Sequence, residues 1–216
     1  MSVSLKPENF TPDSLYFLLR DSIVPRPVAW VSTIDAHGNS NLAPFSFFTV
    51  VSANPPVLGF SCGPRNEDRH TATVDYKDTL SNVLATGQCV INVCPEKWLD
   101  EMVRSSDPLP SGESEFAHTG LSPAASTTVA CPRVAGVPVA YECVLNQTIG
   151  FGNNTFCIVK VQHIHIDEGV YLGDVRGEPH RIDLFAVNDT RPVGRLGRAH
   201  YAKMRDLVTV LRKDGG

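Results

Sequence analysis

Long apolar runs, clustered charge and familiar catalytic motifs are all missing from this 216-residue chain, and each absence removes a class of function. The longest apolar stretches, such as Val50 to Val51 and Pro55 to Phe60, stop far short of the roughly 18 residues a membrane span needs, so no membrane role is expected. Charged residues are 19% of the chain and the net charge is −4. No basic stripe is present that could neutralise successive phosphates, so nucleic acid is not an expected partner. The N-terminus carries Lys6 and Glu8 with neither a long apolar region nor a small-residue cleavage site; no secretory signal is read there, and a cytoplasmic location is expected. There is no C-x-x-C pair. Cys62, Cys89, Cys94, Cys131, Cys143 and Cys157 lie far apart, as expected of reduced thiols packed as small hydrophobes. G-x-G-x-x-G, Walker A, H-E-x-x-H and G-x-S-x-G are absent as well, which leaves the common motif-borne chemistries unsupported.

What is present is an apolar fraction of 42%, enough for a packed core through residues 1–216 as one globular unit. Residues 27–34 are β-branched and aromatic and run into Asp35-Ala-His-Gly38, a strand and a hairpin turn. A second strand is predicted from Leu42 to Val51 and a third from Val57 to Cys62, with Asn54-Pro55-Pro56 between them, which suggests an antiparallel meander. Leu80, Val83 and Leu84 fall at helical spacing, with Asp78 or Thr79 able to cap and Gly87 able to close the helix. Gln88 to Cys94 reads as a buried strand, Glu96 to Arg104 as a short helix and Ser105 to Ser126 as a long ordered loop or excursion. Val139 to Ile149 and Thr155 to Ile166 read as strands joined by a hairpin at residues 150–154. Met204, Leu207, Val208 and Leu211 predict a partly helical tail from Arg191 to Lys213. The pattern is mainly β with a few peripheral helices, and closing the sheet into a barrel would remove its edges.

Hydroxyls and aromatics concentrate in the first three strands: Ser32, Thr33, Ser46, Thr49 and Ser61 interleave with Trp30, Phe45, Phe47 and Phe48. On their own they fit a binding pocket or an ordinary barrel core equally well. His163 and His165 share one face of a strand but have no third or fourth ligand nearby in sequence, so no metal site is expected.

The segment PRPVAWVSTIDAHGNSNLAPFSFFTVVSANPPVLGFSC resembles the opening signature of the flavin-reductase-like, FMN-binding split-barrel family, which includes flavoredoxins and the reductase components of two-component monooxygenases. The likeness continues through KDTLSNVLATGQCVINV, EFAHTGL, GNNTFCIVKVQHIHID and PVGRLGRAHYAKM, collinear blocks over nearly the whole chain. The resemblance implies a six-stranded antiparallel split barrel, FMN near a homodimer interface, and hydride transfer from NAD(P)H through flavin to a flavin or an electron-accepting protein such as a monooxygenase component. The rival reading is a non-catalytic FMN-binding electron carrier reduced by another protein.

FMN needs a different environment at each end. For the phosphate, Lys77 offers a cation and the helix start at Asp78 and Thr79 offers free N–H groups, with Ser32, Thr33, Ser46 and Ser61 as further donors. Lys77 read alone is an ordinary solvated lysine before a capping Asp, and it is the matched KDT block that makes it a phosphate ligand; Asp78 is expected to cap rather than touch the anion. For the ring, Trp30 and the Phe47–Phe48 pair offer flat surface, and the backbone of Phe47 to Thr49 offers polar groups. Successive strand residues face opposite ways, so one of the two phenylalanines belongs to the core. By resemblance, His118 approaches the flavin as a catalytic group, Phe151 covers it and Arg195 reaches the cofactor region.

Overall fold

The structure, a computed structural model, describes residues 2–65, 76–110 and 112–210. After α1 (Pro12–Ser22), the chain forms β1 (Ala29–Ile34), β2 (Ser40–Phe45), β3 (Phe48–Ala53) and β4 (Pro56–Cys62), then α2 (Asp78–Thr86) and β5 (Gln88–Val93). An excursion holds α3 (Leu99–Arg104), α4 (Glu115–Thr119) and a small ladder of β6 (Pro123–Ala124) with β7 (Arg133–Val134). The long hairpin of β8 (Val139–Phe151) and β9 (Asn154–Ile166) follows, then the hairpins of β10 (Tyr171–Val175) with β11 (Glu178–Ile182) and of β12 (Val193–Arg195) with β13 (Tyr201–Lys203).

Seven strands form one antiparallel sheet in the order β2-β1-β5-β8-β9-β4-β3. The two end strands are consecutive in the chain, and this is how the sheet becomes a barrel. β2 pairs with β1 up to Phe45 opposite Ala29, and β3 pairs with β4 from Phe48 opposite Phe60. Only Ser46 and Phe47 lie between. The strand predicted from Leu42 to Val51 is therefore split, and its halves serve opposite ends of the sheet. Counted as one bent strand, they give the six-stranded split barrel. Seven is the count once the bend is recognised.

Alternation along β1 sorts side chains between two cores. Ala29 and Val31 point into the barrel with Phe45, Phe60, Ile91 and Val159, and the Phe45 and Phe60 rings lie 5.4 Å apart. Trp30 points outward into a second cluster with Leu42, Val90, Met102, Phe116 and Val134. The excursion after β5 thus covers the outer face of the sheet. α2 packs Leu80 and Val83 onto the inner cluster; Gly87 closes it at φ 69°, its N–H bonded to the Val83 carbonyl, a left-handed position that glycine takes without strain.

Glu142 of β8, fully buried, fastens the excursion to the sheet. Its carboxylate accepts from the Thr127 N–H (2.6 Å), the Thr128 N–H and hydroxyl (2.5 Å each) and His165 Nε2 (2.5 Å). Burial alone would push its pKa up, but the Thr128 hydroxyl, Thr127 N–H, His165 and Thr128 N–H together hold it at about 2. The His163 ring meets that of His165 at 4.8 Å, tilted by 60°, and no group of three or more metal-ligating side chains occurs among the described residues.

Three expectations fail here. Residues 191–210 contain no helix: Leu207 and Val208 are 64% and 85% exposed, so the periodic face meets no apolar surface, and a short helix without packing is marginal in water. Leu211 and Lys213 lie outside the described residues. The 105–126 loop contains α4, so His118 is helical rather than in a loop. The turn between β8 and β9 is only Gly152 and Asn153, which makes Phe151 the last residue of a strand.

Candidate functional site

The split in the barrel opens a cavity of about 580 Å³, within the range of cofactor pockets. Its floor is Pro44, Phe45, Ser46 and Phe47 at the break together with Ser61 of β4; its walls include Tyr16 of α1, Lys77, and Asn153 and Asn154 of the hairpin tip. The break is held open by pairing: the Ser61 N–H donates to the Phe47 carbonyl at 2.9 Å, the contact by which the chain leaves β1 and joins β4. Phe47 is 41% exposed, and its ring meets that of Tyr16 at 6.2 Å. One side of the pocket is thus flat and aromatic, and beside it lie the hydroxyls of Ser46 and Ser61.

The other end is cationic. Lys77 immediately precedes α2, whose first turn has no side-chain cap. The first helical bond runs from the Ser81 N–H to the Lys77 carbonyl (3.1 Å), so the N–H groups of Asp78, Thr79 and Leu80 have no partner within the helix. A lysine beside uncapped N–H groups at the positive end of a helix dipole suits an anion. Asp78 does not cap; it pairs with Arg65, which also lines the cavity. An adjoining cavity of about 370 Å³ shares Phe45, Arg65 and Lys77 and extends to Asn41, Asp107 and Glu115. Burial raises the pKa of Glu115, which accepts from the Leu42 N–H at 2.8 Å.

Of the residues singled out in sequence, Ser46, Phe47, Ser61 and Lys77 come together on this cavity, with Asp78 on its neighbour. Others do not reach it. Trp30 is fully buried and donates from Nε1 to the Ser105 hydroxyl at 2.9 Å, so no face of its indole is open to a ring. Ser32 donates to the Pro132 carbonyl at 2.5 Å and Thr33 accepts from Asn82 at 3.0 Å. Thr79 accepts from Asn41 at 3.0 Å. All three hydroxyls are buried and already satisfied. Phe48 packs against the inner core, and Thr49 is exposed on β3. Phe151 is 64% exposed at the hairpin end. Arg195 lies over the Tyr201 ring at 4.3 Å and donates to the Arg198 carbonyl at 2.6 Å. His118 is exposed, with Nε2 3.0 Å from Asp107 Oδ2, so it touches the rim of the adjoining cavity through a carboxylate.

Tyr16, Arg65, Asn153 and Asn154 are site residues that sequence reasoning missed. Tyr16 had a local signal: Thr11-Pro12 opens α1, with the Thr11 hydroxyl accepting from the Ser14 N–H at 3.2 Å, a readable helix start. Arg65 had none.

Comparison with known proteins agrees with this geometry. Residues 20–183 match the sequence model of the flavin reductase like domain. An uncharacterized protein of Aquifex aeolicus is 35% identical over 198 residues, covering 88% of this chain and 90% of that one. Among solved structures, nitrilotriacetate monooxygenase component B from Bacillus cereus superposes with a TM-score of 0.84 at 29% identity, covering 97% and 99% of the two chains. The 2-nitrobenzoate 2-nitroreductase NbaA of Pseudomonas fluorescens gives 0.81 at 28% identity, covering 98% and 97%. With a split barrel, a cavity at the split and a family match across most of its length, the chain belongs to the flavin-reductase-like family of flavoprotein oxidoreductases.

Proposed function

We propose that the protein binds FMN in the cavity at the strand break and transfers hydride from NAD(P)H through it to a flavin or a protein acceptor such as a monooxygenase component. The observation that carries this reading is the polarity of the cavity, with Lys77 and the uncapped start of α2 at one end and Phe47, Tyr16, Ser46 and Ser61 at the other. The cationic end fits a phosphate; the aromatic end with its hydroxyls and backbone fits a flat ring with a polar edge. Bound flavin would supply the hydride chemistry, and the protein's part is to hold and orient it. Lys77 and the α2 N–H groups anchor the phosphate, Phe47 and Tyr16 fix the ring plane, and the open mouth admits a nicotinamide. The likeness to a monooxygenase component B supports a diffusible or protein acceptor. His118 acts from the rim through Asp107 rather than on the ring.

A homodimer is part of this proposal, because Val50, Val51 and Phe151 leave large apolar surface exposed on β3 and at the end of β8. The six free, buried cysteines suit a reducing, cytoplasmic compartment. The test is anaerobic stopped-flow of the FMN-loaded protein with NADH and NADPH. Bleaching of the flavin band by either nucleotide is expected. Bound flavin that neither nucleotide bleaches would sink the reductase reading and leave an electron carrier.

A further inference from the structure

One buried cation lies directly behind the strand break and is not accounted for by anything above. Arg26 is 5% exposed and, among the described residues, forms no ion pair with a carboxylate. Its guanidinium spends its donors on neutral oxygens: Nη1 on the carbonyls of Arg20 and of Ile23 (2.8 Å), Nη2 on the carbonyl of Leu196 (3.0 Å), and Nε on the Ser46 hydroxyl (3.4 Å). The same guanidinium lies 5.7 Å from the centroid of the Phe47 ring. Its backbone pairs in both directions with Arg195, at 2.9 and 2.8 Å. A single side chain therefore ties the end of α1 and the segment after β12 to Ser46 and Phe47, the two residues of the strand break in the floor of the cavity.

A fold that needed only the tie could use neutral donors. An arginine buried without a counter-ion is costly to desolvate and stays protonated, because the guanidinium does not give up its proton in proteins. The charge therefore persists one side chain away from the cavity, in a low-dielectric setting where its field is weakly screened. Burial, and then the neighbouring Arg195 and Arg20 cations, lower its pKa from the usual arginine value; Tyr16 and Asp21 offset this only in part, and Asp21 forms no ion pair with it.

We propose that Arg26 is a positioning residue of the flavin site: it orients Ser46 and Phe47 and lends the pocket a fixed positive charge that favours the reduced, anionic form of the cofactor over the oxidised, neutral one. The proposal rests on the reading that flavin binds at the strand break. Its distinctive consequence is differential binding: a cation in the wall stabilises the more negative redox form, whereas a purely mechanical brace would serve both forms equally.

The experiment measures dissociation constants of oxidised FMN (by fluorescence quenching) and reduced FMN (anaerobically), with the midpoint potential of the bound cofactor, for the wild type, Arg26→Gln and Arg26→Lys. Glutamine keeps a donor and loses the charge; lysine keeps the charge and loses the fork. For Arg26→Gln, reduced FMN is expected to bind about tenfold more weakly relative to oxidised FMN than in the wild type, the equivalent of roughly 1.4 kcal/mol. Its potential should move to more negative values. Arg26→Lys should keep the wild-type ratio and potential while binding both forms less tightly. Arg26→Gln with an unchanged ratio overturns the proposal, as does Arg26→Lys with the ratio of the glutamine variant. If neither variant folds, by circular dichroism and size-exclusion chromatography, Arg26 belongs to the fold alone and the proposal fails. A wild type that binds no FMN overturns the functional reading itself, an outcome distinct from wild-type binding that Arg26 does not influence.

Discussion

Two polar, aromatic clusters from neighbouring strands end in opposite states. Around Trp30, Ser32 and Asn92 on the outer face of the sheet, every group is buried and partnered: Asn92 donates to the Trp30 carbonyl (2.9 Å) and the Ser32 hydroxyl (3.2 Å) and accepts from the Val134 N–H (2.9 Å). Around Ser46, Phe47, Ser61 and Lys77 at the break, similar residue types face a cavity. Composition does not separate the two. The difference is topological: the excursion after β5 covers the first cluster, while the second sits where one strand leaves its neighbour for the far edge of the sheet. Hydroxyls that close on themselves stabilise; hydroxyls held open by a strand break can bind. If this division is right, damage to the closed region should cost stability and spare flavin affinity, and damage to the open region should do the reverse.

The largest effect is expected at Glu142, which fastens the cover over the closed region. Replacing Glu142 with Ala leaves the Thr127 and Thr128 donors and His165 without their acceptor. A loss of about 3–5 kcal/mol in urea denaturation is expected, as for breaking a buried charged network. The pH dependence has a definite sign. Because the folded carboxyl is held at about 2, below the ordinary 4.5, its stabilisation is complete above pH 4.5 and is lost as pH falls from there towards 2. Wild type and Glu142→Gln should therefore converge in stability towards pH 2. A constant gap across that range would remove the ionised carboxylate as the cause. FMN affinity of the folded variant should not change, and a change would join the two regions.

Next in size is Lys77→Ala in the open region. Losing a hydrogen bond to a charged group weakens binding by about 1.5–3 kcal/mol, so FMN should bind roughly ten- to a hundredfold less tightly by fluorescence titration. The melting temperature of the FMN-free protein should stay put, because Lys77 is exposed. An unchanged dissociation constant would take Lys77 out of the phosphate end.

Much of this frame was readable locally. The turn at Asp35 is spelled out by its own carboxylate, which accepts from the His37 and Asn39 N–H groups at 2.8 Å each. β1, β4, β5 and the β8–β9 hairpin follow from alternation and turn residues, and α2 from its spacing and Gly87. The break at Ser46 and Phe47 was not readable, because no glycine interrupts the strand pattern there and the bend is imposed by closure onto β4. The same limit applies to the site. Lys77 was legible because a helix start is local chemistry. Trp30 and Thr33 looked like pocket residues because hydroxyl and aromatic content marks both lined cavities and satisfied cores, and only the partners, Ser105 and Asn82, tell them apart. The start of the helix that carries Tyr16 was readable, but its contact with Phe47, and the reach of Arg26 to the break from the segment after α1, are recorded by no local pattern.

The smallest effect gives the sharpest comparison, because Trp30 is the residue whose type most suggests a flavin contact and whose setting most opposes it. Trp30→Phe keeps most of the buried ring and deletes one donor, the Nε1–H bonded to the Ser105 hydroxyl. That hydroxyl still donates to the Met102 carbonyl at 2.7 Å, so only one partner is lost, and a neutral hydrogen bond of this kind contributes about 1 kcal/mol. A drop of that order in unfolding free energy is expected, with the oxidised FMN dissociation constant unchanged. The opposite pattern, intact stability with weakened flavin binding, would mean that the indole reaches the cofactor despite its complete burial. The cover formed by α3, α4 and the 121–137 segment would then have to open when flavin binds, and the closed region would be part of the site.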